Sequence, residues 1–221
     1  MITLVIEAST YAGSTALVDG NRLLGERSVA MRGKEFEALM PAVGDLLAHC
    51  DVEVTQIRRV VCGGGPGSFT SLRIAGSIAK GIAMAVGADL VPISSLALLV
   101  ASQEPRVPGR YLACADAMRG ESYVQAFALD FNGALSAVSD QLVMPSASVD
   151  VLAAQFDATA VGATLHGAAM AVPHARAVAY ITNVIDATPS ADLATWEPGY
   201  GRLAEAQVKW ETAHGRSLMS G

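Results

Sequence analysis

The chain opens with a pattern of elements that returns about halfway along its length. Residues 4–24 give an apolar strand ending at Glu7, a small-residue turn, a second strand and an Asp-Gly pair. Residues 112–135 repeat this order, with Asp116 ending the first strand and an Asn-Gly pair closing the unit. Asp-Gly and Asn-Gly favour tight hairpins because both turn positions need a positive φ. Two related halves, each starting as a three-stranded meander, are the simplest interpretation.

Periodic apolar positions predict further helices and strands in both halves. The helices are expected over 34–49, 71–86, 95–102 and 148–156, and the strands over 57–62, 90–93 and 159–161. Two prolines and a glycine within residues 104–109 interrupt regular structure. We therefore predict a first α/β lobe over 1–104, a smaller second α/β lobe over 109–200, and a C-terminal helix over 201–221 that packs back on the body.

Composition excludes two classes of protein. With 52% hydrophobic residues, the chain is too apolar for intrinsic disorder. With 15 Lys and Arg against 21 Asp and Glu, it lacks the positive field of a free-standing nucleic-acid binder, so any contact with RNA depends on a partner. The longest charge-free stretch, 158–175, contains histidines, glycines and a proline, and we expect no membrane association.

The start of the chain and its cysteines predict a cytoplasmic protein. Residues 2–6 have the pattern of a strand, without the basic flank or cleavage site of a signal peptide. Cys50, Cys62 and Cys114 form no C-x-x-C pair and are odd in number. We expect reduced thiols, packed as small apolar side chains, rather than a disulfide framework.

A glycine-rich segment, residues 63–70, lies between a predicted strand and a predicted helix. Backbone N–H groups and the helix dipole at such a junction can bind an anion. The candidate anion or nucleotide ligands are Gly65, Gly67, Ser68 and Thr70, together with Ser9 and Thr10 in the first turn. The segment matches neither the P-loop nor G-x-G-x-x-G, so a tight turn capped by Ser68 or Thr70 is the alternative.

Two acids complete the candidate site. Glu7 and Asp116 end the first strands of the two halves, and a duplicated fold would place them facing each other across the cleft between the halves. Such carboxylates could serve a magnesium nucleotide or act as a general base. Alternatively, each is solvated or caps a neighbouring turn. The four histidines form no H-x-x-x-H or H-E-x-x-H pair and no G-x-S-x-G elbow is present, so we assign no metal ligand and no catalytic residue.

Two of the predicted helices have features of a protein interface. The second carries small residues on neighbouring turns, where another backbone can approach, and the first is apolar on one side. The candidate contact residues are Phe36, Leu39, Met40, Val43, Arg73, Gly76, Ala79 and Ala83. Ordinary packing of both helices on the chain's own core is the alternative.

Several segments together closely resemble one family. They are GGGPGSFTSLRIAGSIAKGIA, the opening VIEASTYAGSTALVDG, and the later ISSLALL and ADAMRGESY. This combination resembles the TsaB family, formerly YeaZ, over about residues 1–130, and Gly199–Arg202 is similar to the family's closing segment. The resemblance implies a duplicated actin-like, Hsp70-like ATPase fold of the ribonuclease H-like type, with two α/β lobes.

The resemblance also implies a role in making N6-threonylcarbamoyladenosine on tRNAs that read codons starting with A. In that system a metal-binding TsaD-type subunit transfers the threonylcarbamoyl group, TsaB is its non-catalytic partner, and a TsaE-type ATPase joins the complex. We therefore expect a scaffold subunit that pairs with a TsaD-type subunit, or with itself when alone, and that meets tRNA through the complex. No cofactor is required, although weak binding of ATP and magnesium is allowed.

Three departures from the family pattern bear on the nucleotide site. Glu7 stands where the family usually has Asp, Ser71 replaces a Gly, and Gly33-Lys34-Glu35 replaces His-Ser-Glu. A longer acid and a bulkier turn residue would perturb a nucleotide site more than a packing surface. The alternative function is an active small-molecule kinase or ATPase using Glu7 and Asp116 with magnesium, since relatives of this architecture include such enzymes.

Overall fold

The computed structural model describes residues 1–31, 38–162 and 171–201. Sheet one has the strand order β3-β2-β1-β4-β5. Its strands are β1 (Ile2–Glu7), β2 (Ala12–Asp19), β3 (Arg22–Ala30), β4 (Ile57–Gly63) and β5 (Asp89–Ile93). The first three strands are antiparallel neighbours, whereas β4 runs parallel to β1 and β5 runs parallel to β4.

Sheet two repeats this plan. Its strands are β6 (Gly109–Asp116), β7 (Glu121–Leu129), β8 (Leu135–Ala137), β9 (Leu142–Pro145) and β10 (Thr159–Val161). Their order is β10-β6-β7-β8, and β9 also pairs with β7. As in sheet one, the first two strands are antiparallel and a later strand, β10, lies parallel to the first. The repeat predicted from the sequence is therefore confirmed at the level of topology.

The α-helices of the described residues are α1 (Leu39–His49), α2 (Phe69–Val86), α3 (Ser95–Ala101), α4 (Val149–Gln155) and α5 (Thr182–Ala187). Short 3-10 helices cover Val54–Gln56, Ser146–Ser148 and Ala175–Tyr180. Helix α2 begins two residues earlier than expected and ends at Val86, and the next residue, Gly87, has a φ of 66° that suits a left-handed cap. The start of the predicted first helix, with Phe36, and almost all of the predicted C-terminal helix lie outside the described residues.

Both faces of the central strand β1 are buried, and its residues 4–6 are accordingly apolar on both sides. On one face, Leu4 and Ile6 of β1 pack in the cluster that contains the buried sides of α1 and α2. On the other face, Val5 packs in the cluster that contains α3 and the inner side of sheet two. Helices α1 and α2 therefore share one outer surface of the first lobe.

Helix α3 forms the centre of the molecule and is buried along its whole length. It packs with the 3-10 helix Ala175–Tyr180 and with side chains of both sheets, among them Val91 and Phe127. The two lobes consequently share one hydrophobic core.

Within the described residues, α2 alone is long and apolar enough to cross a membrane by length and composition. One side of it packs on sheet one, as expected of a core helix.

The cysteines agree with the sequence prediction. All three are free, with Cys62 and Cys114 buried and Cys50 half-buried. Burial raises the pKa of Cys114 to about 12 and also raises the pKa of Cys62. Both buried thiols are therefore uncharged at neutral pH and act as small apolar side chains.

The shared core predicts the effect of shortening a side chain on α3. Leu98 is fully buried, so Leu98→Ala should lower the free energy of unfolding by about 3 kcal/mol through lost burial and a residual cavity. Because both lobes contact α3, unfolding should remain one transition when followed by circular dichroism and by tryptophan fluorescence. Val151→Ala on α4, where the side chain is 62% exposed, is the control and should change stability by less than about 0.5 kcal/mol. Separate transitions for the two probes would contradict the shared core.

Candidate functional site

The glycine-rich segment joins β4 to α2, and three of its backbone N–H donors are already engaged. The N–H of Gly64 donates to the carbonyl of Ile93 at 2.7 Å, and the N–H of Gly65 donates to Ser95 Oγ at 3.2 Å. The N–H of Ser68 donates to the carbonyl of Ser9 at 2.7 Å. These three groups are therefore not available to a phosphate in this structure.

The glycines of this segment are required by close packing. A Cβ at Gly67 would overlap the carbonyl oxygen of Ser9, and a Cβ at Gly63 would overlap Oε2 of Glu7. Gly65 has a φ of 93° and lies against the carbonyl of Gly199. The segment is thus a tight turn clamped between neighbouring backbones, which was the alternative interpretation of its sequence.

Glu7 lies beneath this turn and is fully buried. Its Oε1 accepts a hydrogen bond from the N–H of Ser9, and its Oε2 accepts one from Ser95 Oγ at 2.9 Å. Ser95 Oγ in turn accepts from the N–H of Gly65 at 3.2 Å, which links the carboxylate to the turn. Burial raises the pKa of Glu7, while the hydrogen bonds from Ser9 and Ser95 oppose that shift. Glu7 is therefore placed to hold the backbone together, not to reach a ligand.

Asp116 lies in a different environment from Glu7. It is exposed at the end of β6, and its Oδ1 accepts from the N–H of Met118 at 2.7 Å. Met118, Arg119 and Gly120 all have a positive φ, so the carboxylate caps a left-handed turn. The expectation that Glu7 and Asp116 face each other across a cleft is wrong, because one is buried inside the first lobe and the other is on the surface of the second.

The remaining candidate ligands also have structural roles. Thr10 Oγ1 accepts from the N–H of Ala12 at 3.2 Å, as in a side-chain-capped turn. Ser68 Oγ lies 3.1 Å from the hydroxyl of Ser71, which is buried. Thr70 is exposed in the first turn of α2. In this arrangement Glu7 and the amides of Gly64, Gly65 and Ser68 are bound to the chain itself and do not face a nucleotide.

A segment near the end of the described chain covers the same region. We call residues 195–201 the strap. The N–H of Gly199 donates to the carbonyl of Gly64 at 2.7 Å, and Lys80 Nζ donates to the carbonyl of Trp196 at 3.0 Å. Gly76 faces Trp196 and Pro198, so this small residue of α2 accommodates the strap. Sequence reasoning gave no sign that this segment lies over the glycine-rich turn.

Tyr200 connects the strap to both lobes. Its hydroxyl accepts from Arg73 Nε on α2 at 3.1 Å, and its carbonyl accepts from the hydroxyl of Tyr123 on β7 at 3.0 Å. Its ring lies 4.5 Å from that of Phe69, measured between centroids. Burial, and to a lesser extent Asp116, raise the pKa of Tyr123, so its hydroxyl stays protonated as a donor. Tyr123 and Ser95 lie in segments that resemble the family, but the sequence assigned no role to either, because each role depends on the position of the residue in the fold.

The structure changes the membership of the predicted interface. Leu39, Val43, Ala79 and Ala83 are buried in the chain's own core, and Gly76 is covered by the strap. They cannot contact another protein without leaving these positions, so core packing, the alternative, accounts for them. Met40 is 51% exposed and Arg73 is exposed, whereas Phe36 lies outside the described residues.

The exposed side of the two helices is nevertheless mainly apolar, with the polar side chains Asp45 and His49 exposed on α1 and Thr70 exposed on α2. Helix α2 contains two charged residues, Arg73 and Lys80, both in contact with the strap. We define the docking face as ten of the exposed or half-buried residues on α1 and α2 that are free of the strap, all with apolar or small side chains, namely Met40, Pro41, Gly44, Ala48, Ile74, Ser77, Ile78, Gly81, Met84 and Ala85. Met84 is 67% exposed. The predicted contact residues thus lie mostly on the buried side of the two helices.

No group of three or more His, Cys, Asp or Glu side chains suited to a metal occurs in residues 1–31, 38–162 and 171–201. His174, in that part of the chain, lies 3.8 Å from Glu26 and accepts from the N–H of Arg176. Burial lowers the pKa of His174. It therefore belongs to a packed junction between β3 and the 3-10 helix Ala175–Tyr180.

The buried carboxylate predicts a pH-dependent stability difference. The pKa of Glu7 is raised in the folded state above its ordinary value of 4.5. Between these two pKa values the folded protein binds more protons than the unfolded chain. The free energy of unfolding therefore falls as the pH rises through the folded pKa. Glu7→Gln lacks this titration. The free energy of unfolding of the original chain, relative to the variant, should decrease between pH 4.5 and neutral pH in urea titrations. A constant difference would contradict a raised pKa.

The clamped turn predicts opposite effects at two glycines. Gly67→Ala places a methyl group against the Ser9 carbonyl and should lower the free energy of unfolding by at least about 2 kcal/mol. Gly81→Ala is the matched control: among the described residues, no atom beyond its own stretch of helix lies within 4 Å of the added Cβ, so helix propensity should raise stability by about 0.5 to 1 kcal/mol. Thermal denaturation of both variants measures the contrast, and a neutral Gly67→Ala would show that the turn is not tightly packed.

Comparison with known proteins gives a consistent family. A family model described as TsaD, tRNA N6-adenosine threonylcarbamoyltransferase, matches residues 34–150, more than half of the chain. The chain is 28% identical to the tRNA threonylcarbamoyladenosine biosynthesis protein TsaB of Bacillus subtilis, over 95% of this chain and 98% of that protein. It is 33% identical to the Escherichia coli protein of the same name, over 60% of this chain and 58% of that one.

Among solved structures, YeaZ from Pseudomonas aeruginosa superposes with a TM-score of 0.73 at 23% identity, covering 90% of this chain and 99% of that chain. This likeness confirms the predicted fold class, a duplicated two-lobed α/β fold. With the family model and the relatives, it shows that the chain belongs to the TsaB family, also known as YeaZ.

Proposed function

We propose that this chain is a non-catalytic scaffold subunit that supports a TsaD-type threonylcarbamoyltransferase in forming N6-threonylcarbamoyladenosine on tRNA in the cytoplasm. The TsaB relatives are named for tRNA threonylcarbamoyladenosine biosynthesis, and the matching family model is described as a threonylcarbamoyltransferase. The relatives and the family model both support a role in forming threonylcarbamoyladenosine on tRNA. The structure adds support for the role of the chain within that process.

The observation that carries the non-catalytic role is the closed glycine-rich turn. A phosphate-transfer enzyme of this architecture would need free amides at the turn and a carboxylate within reach of the phosphates. Here the amides of Gly64, Gly65 and Ser68 bind the chain itself, and Glu7 is buried beneath them. The kinase or ATPase alternative therefore gains no support from the geometry, and the proposed role requires no cofactor.

The docking face is the surface proposed to bind the TsaD-type subunit. It consists of apolar and small side chains from two helices that pack on the same side of sheet one. Burial of such a surface releases water from apolar groups, and small residues such as Gly44 and Gly81 allow a partner helix to approach closely. In the absence of that subunit, the same face pairs with a second copy of this chain.

The other components reach the chain through this assembly. A net charge of −6 disfavours direct binding of tRNA, so the TsaD-type subunit supplies the contact with the nucleic acid. A TsaE-type ATPase provides the nucleotide chemistry. The contribution of this chain is a rigid apolar surface.

A charge on the docking face should prevent this association. Met84→Glu places a carboxylate on the 67% exposed position of α2, and burying it without a partner should weaken binding to the TsaD-type subunit of the same cell by at least about tenfold. Met40→Glu tests the α1 side in the same way. The measurement is co-purification of the full-length chains, followed by titration calorimetry.

The matched control is Val151→Glu, which introduces the same charge at a 62% exposed position on α4 of the second lobe. It should leave the affinity unchanged. Equal affinity for Met84→Glu, Met40→Glu and Val151→Glu, with circular dichroism showing folded proteins, would place the contact elsewhere. Failure of the unmodified chain to bind any TsaD-type subunit would refute the proposed function.

A further inference from the structure

Arg73 is held in one orientation at the edge of the docking face. Its guanidinium carbon lies 4.2 Å from the centroid of the Phe69 ring and 5.5 Å from that of Tyr200. Its Nε donates to the hydroxyl of Tyr200 at 3.1 Å. Stacking on two rings and one directed hydrogen bond restrict a side chain that is otherwise flexible.

The group that holds Arg73 is itself fixed. The carbonyl of Tyr200 accepts from the hydroxyl of Tyr123, which is 4% exposed in the core shared by the lobes. The preceding residue, Gly199, donates to the carbonyl of Gly64. The strap therefore positions the guanidinium before any partner arrives, so little side-chain entropy remains to be lost on binding.

Most of the donors of Arg73 remain free for another molecule. A guanidinium has five N–H donors, and in residues 1–31, 38–162 and 171–201 only Nε has a hydrogen-bond partner. Neither terminal nitrogen forms an ion pair within that part of the chain, and the residue is exposed. Lys80, the other cation of α2, differs because its Nζ donates to the carbonyl of Trp196.

The unpaired N–H groups of the Arg73 guanidinium determine the kind of ligand that it can bind. Two parallel N–H groups of a guanidinium match the two oxygens of a carboxylate, and also those of a phosphate. A nucleic-acid phosphate is disfavoured because the chain has a net charge of −6, whereas a single carboxylate on an apolar partner surface is not. Arg73 also directly precedes Ile74, which is a residue of the docking face.

We propose that Arg73 is a specificity-determining residue of the docking face, and that it binds a carboxylate side chain of the TsaD-type subunit through its two terminal nitrogens. This inference rests on the proposed function and deepens it. The apolar face supplies contact area, while the oriented guanidinium fixes the register of the partner and rejects partners that lack an acid at that position.

The test is the affinity of full-length chains for the TsaD-type subunit, measured by calorimetry at low and at high salt. Arg73→Gln should weaken binding about tenfold and reduce its dependence on salt. Arg73→Lys keeps the charge but loses the two terminal guanidinium nitrogens and the hydrogen bond from Nε to Tyr200. Its affinity should therefore lie between those of Arg73→Gln and the original chain. Tyr200→Phe keeps the ring contact but removes the acceptor for Nε, and should weaken binding by a smaller factor.

The control is Arg110→Gln, which removes an exposed arginine from the second lobe, where Nη1 donates to the carbonyl of Phe156. It should leave affinity and salt dependence unchanged. If Arg73→Gln also leaves the affinity and its salt dependence unchanged, while the original chain binds the subunit, the role of Arg73 is overturned and the proposed function is not. Loss of tRNA binding without loss of subunit binding would also overturn it, in favour of a phosphate. Absence of binding by the unmodified chain would refute the proposed function and the inference with it.

Discussion

The buried carboxylate of Glu7 is the contact on which the arrangement of the first lobe depends. Two donors, the N–H of Ser9 and the hydroxyl of Ser95, converge on it from the β1–β2 turn and from the first residue of α3. Through Ser95 it also reaches the N–H of Gly65. Three separate parts of the chain are thus fixed around a single acid, and α2 leaves the turn in one defined direction. A buried charge without these donors would destabilise the fold, so the acid and its donors form one unit.

Much of the architecture was predictable because it depends on local patterns. The repeated meander, the Asp-Gly and Asn-Gly turns and the apolar periodicity of α2 and α3 were sufficient for the two-lobed α/β fold. The candidate site was less accessible. Sequence identifies Glu7 as an acid at a strand end but not whether its carboxylate faces solvent, because that depends on Ser95, which lies 88 residues away. In the same way, periodicity identified Val43 and Ala79 on helices that have both a buried and an exposed side, and favoured the wrong side.

The two halves show how one plan can serve different purposes. Glu7 and Asp116 occupy corresponding positions at the ends of β1 and β6, yet the first joins backbone segments inside the lobe and the second caps an exposed turn. The difference arises from the elements that come after each meander. In the first half, β4, the glycine-rich turn and α2 close over the acid, and in the second half the described element that corresponds to β4 is the short strand β10.

The position of helix α3 between the two sheets determines whether either half of the chain can fold without the other. By position in the chain it belongs to the first half, but its side chains lie among residues of both sheets. Removing the second half would expose to water the apolar side chains of α3 that pack against sheet two, and expressing the second half alone would leave the inner side of its sheet uncovered. Neither half is therefore expected to fold as a free-standing fragment, and a cut in the connection at residues 104–109 would yield two pieces that stay together.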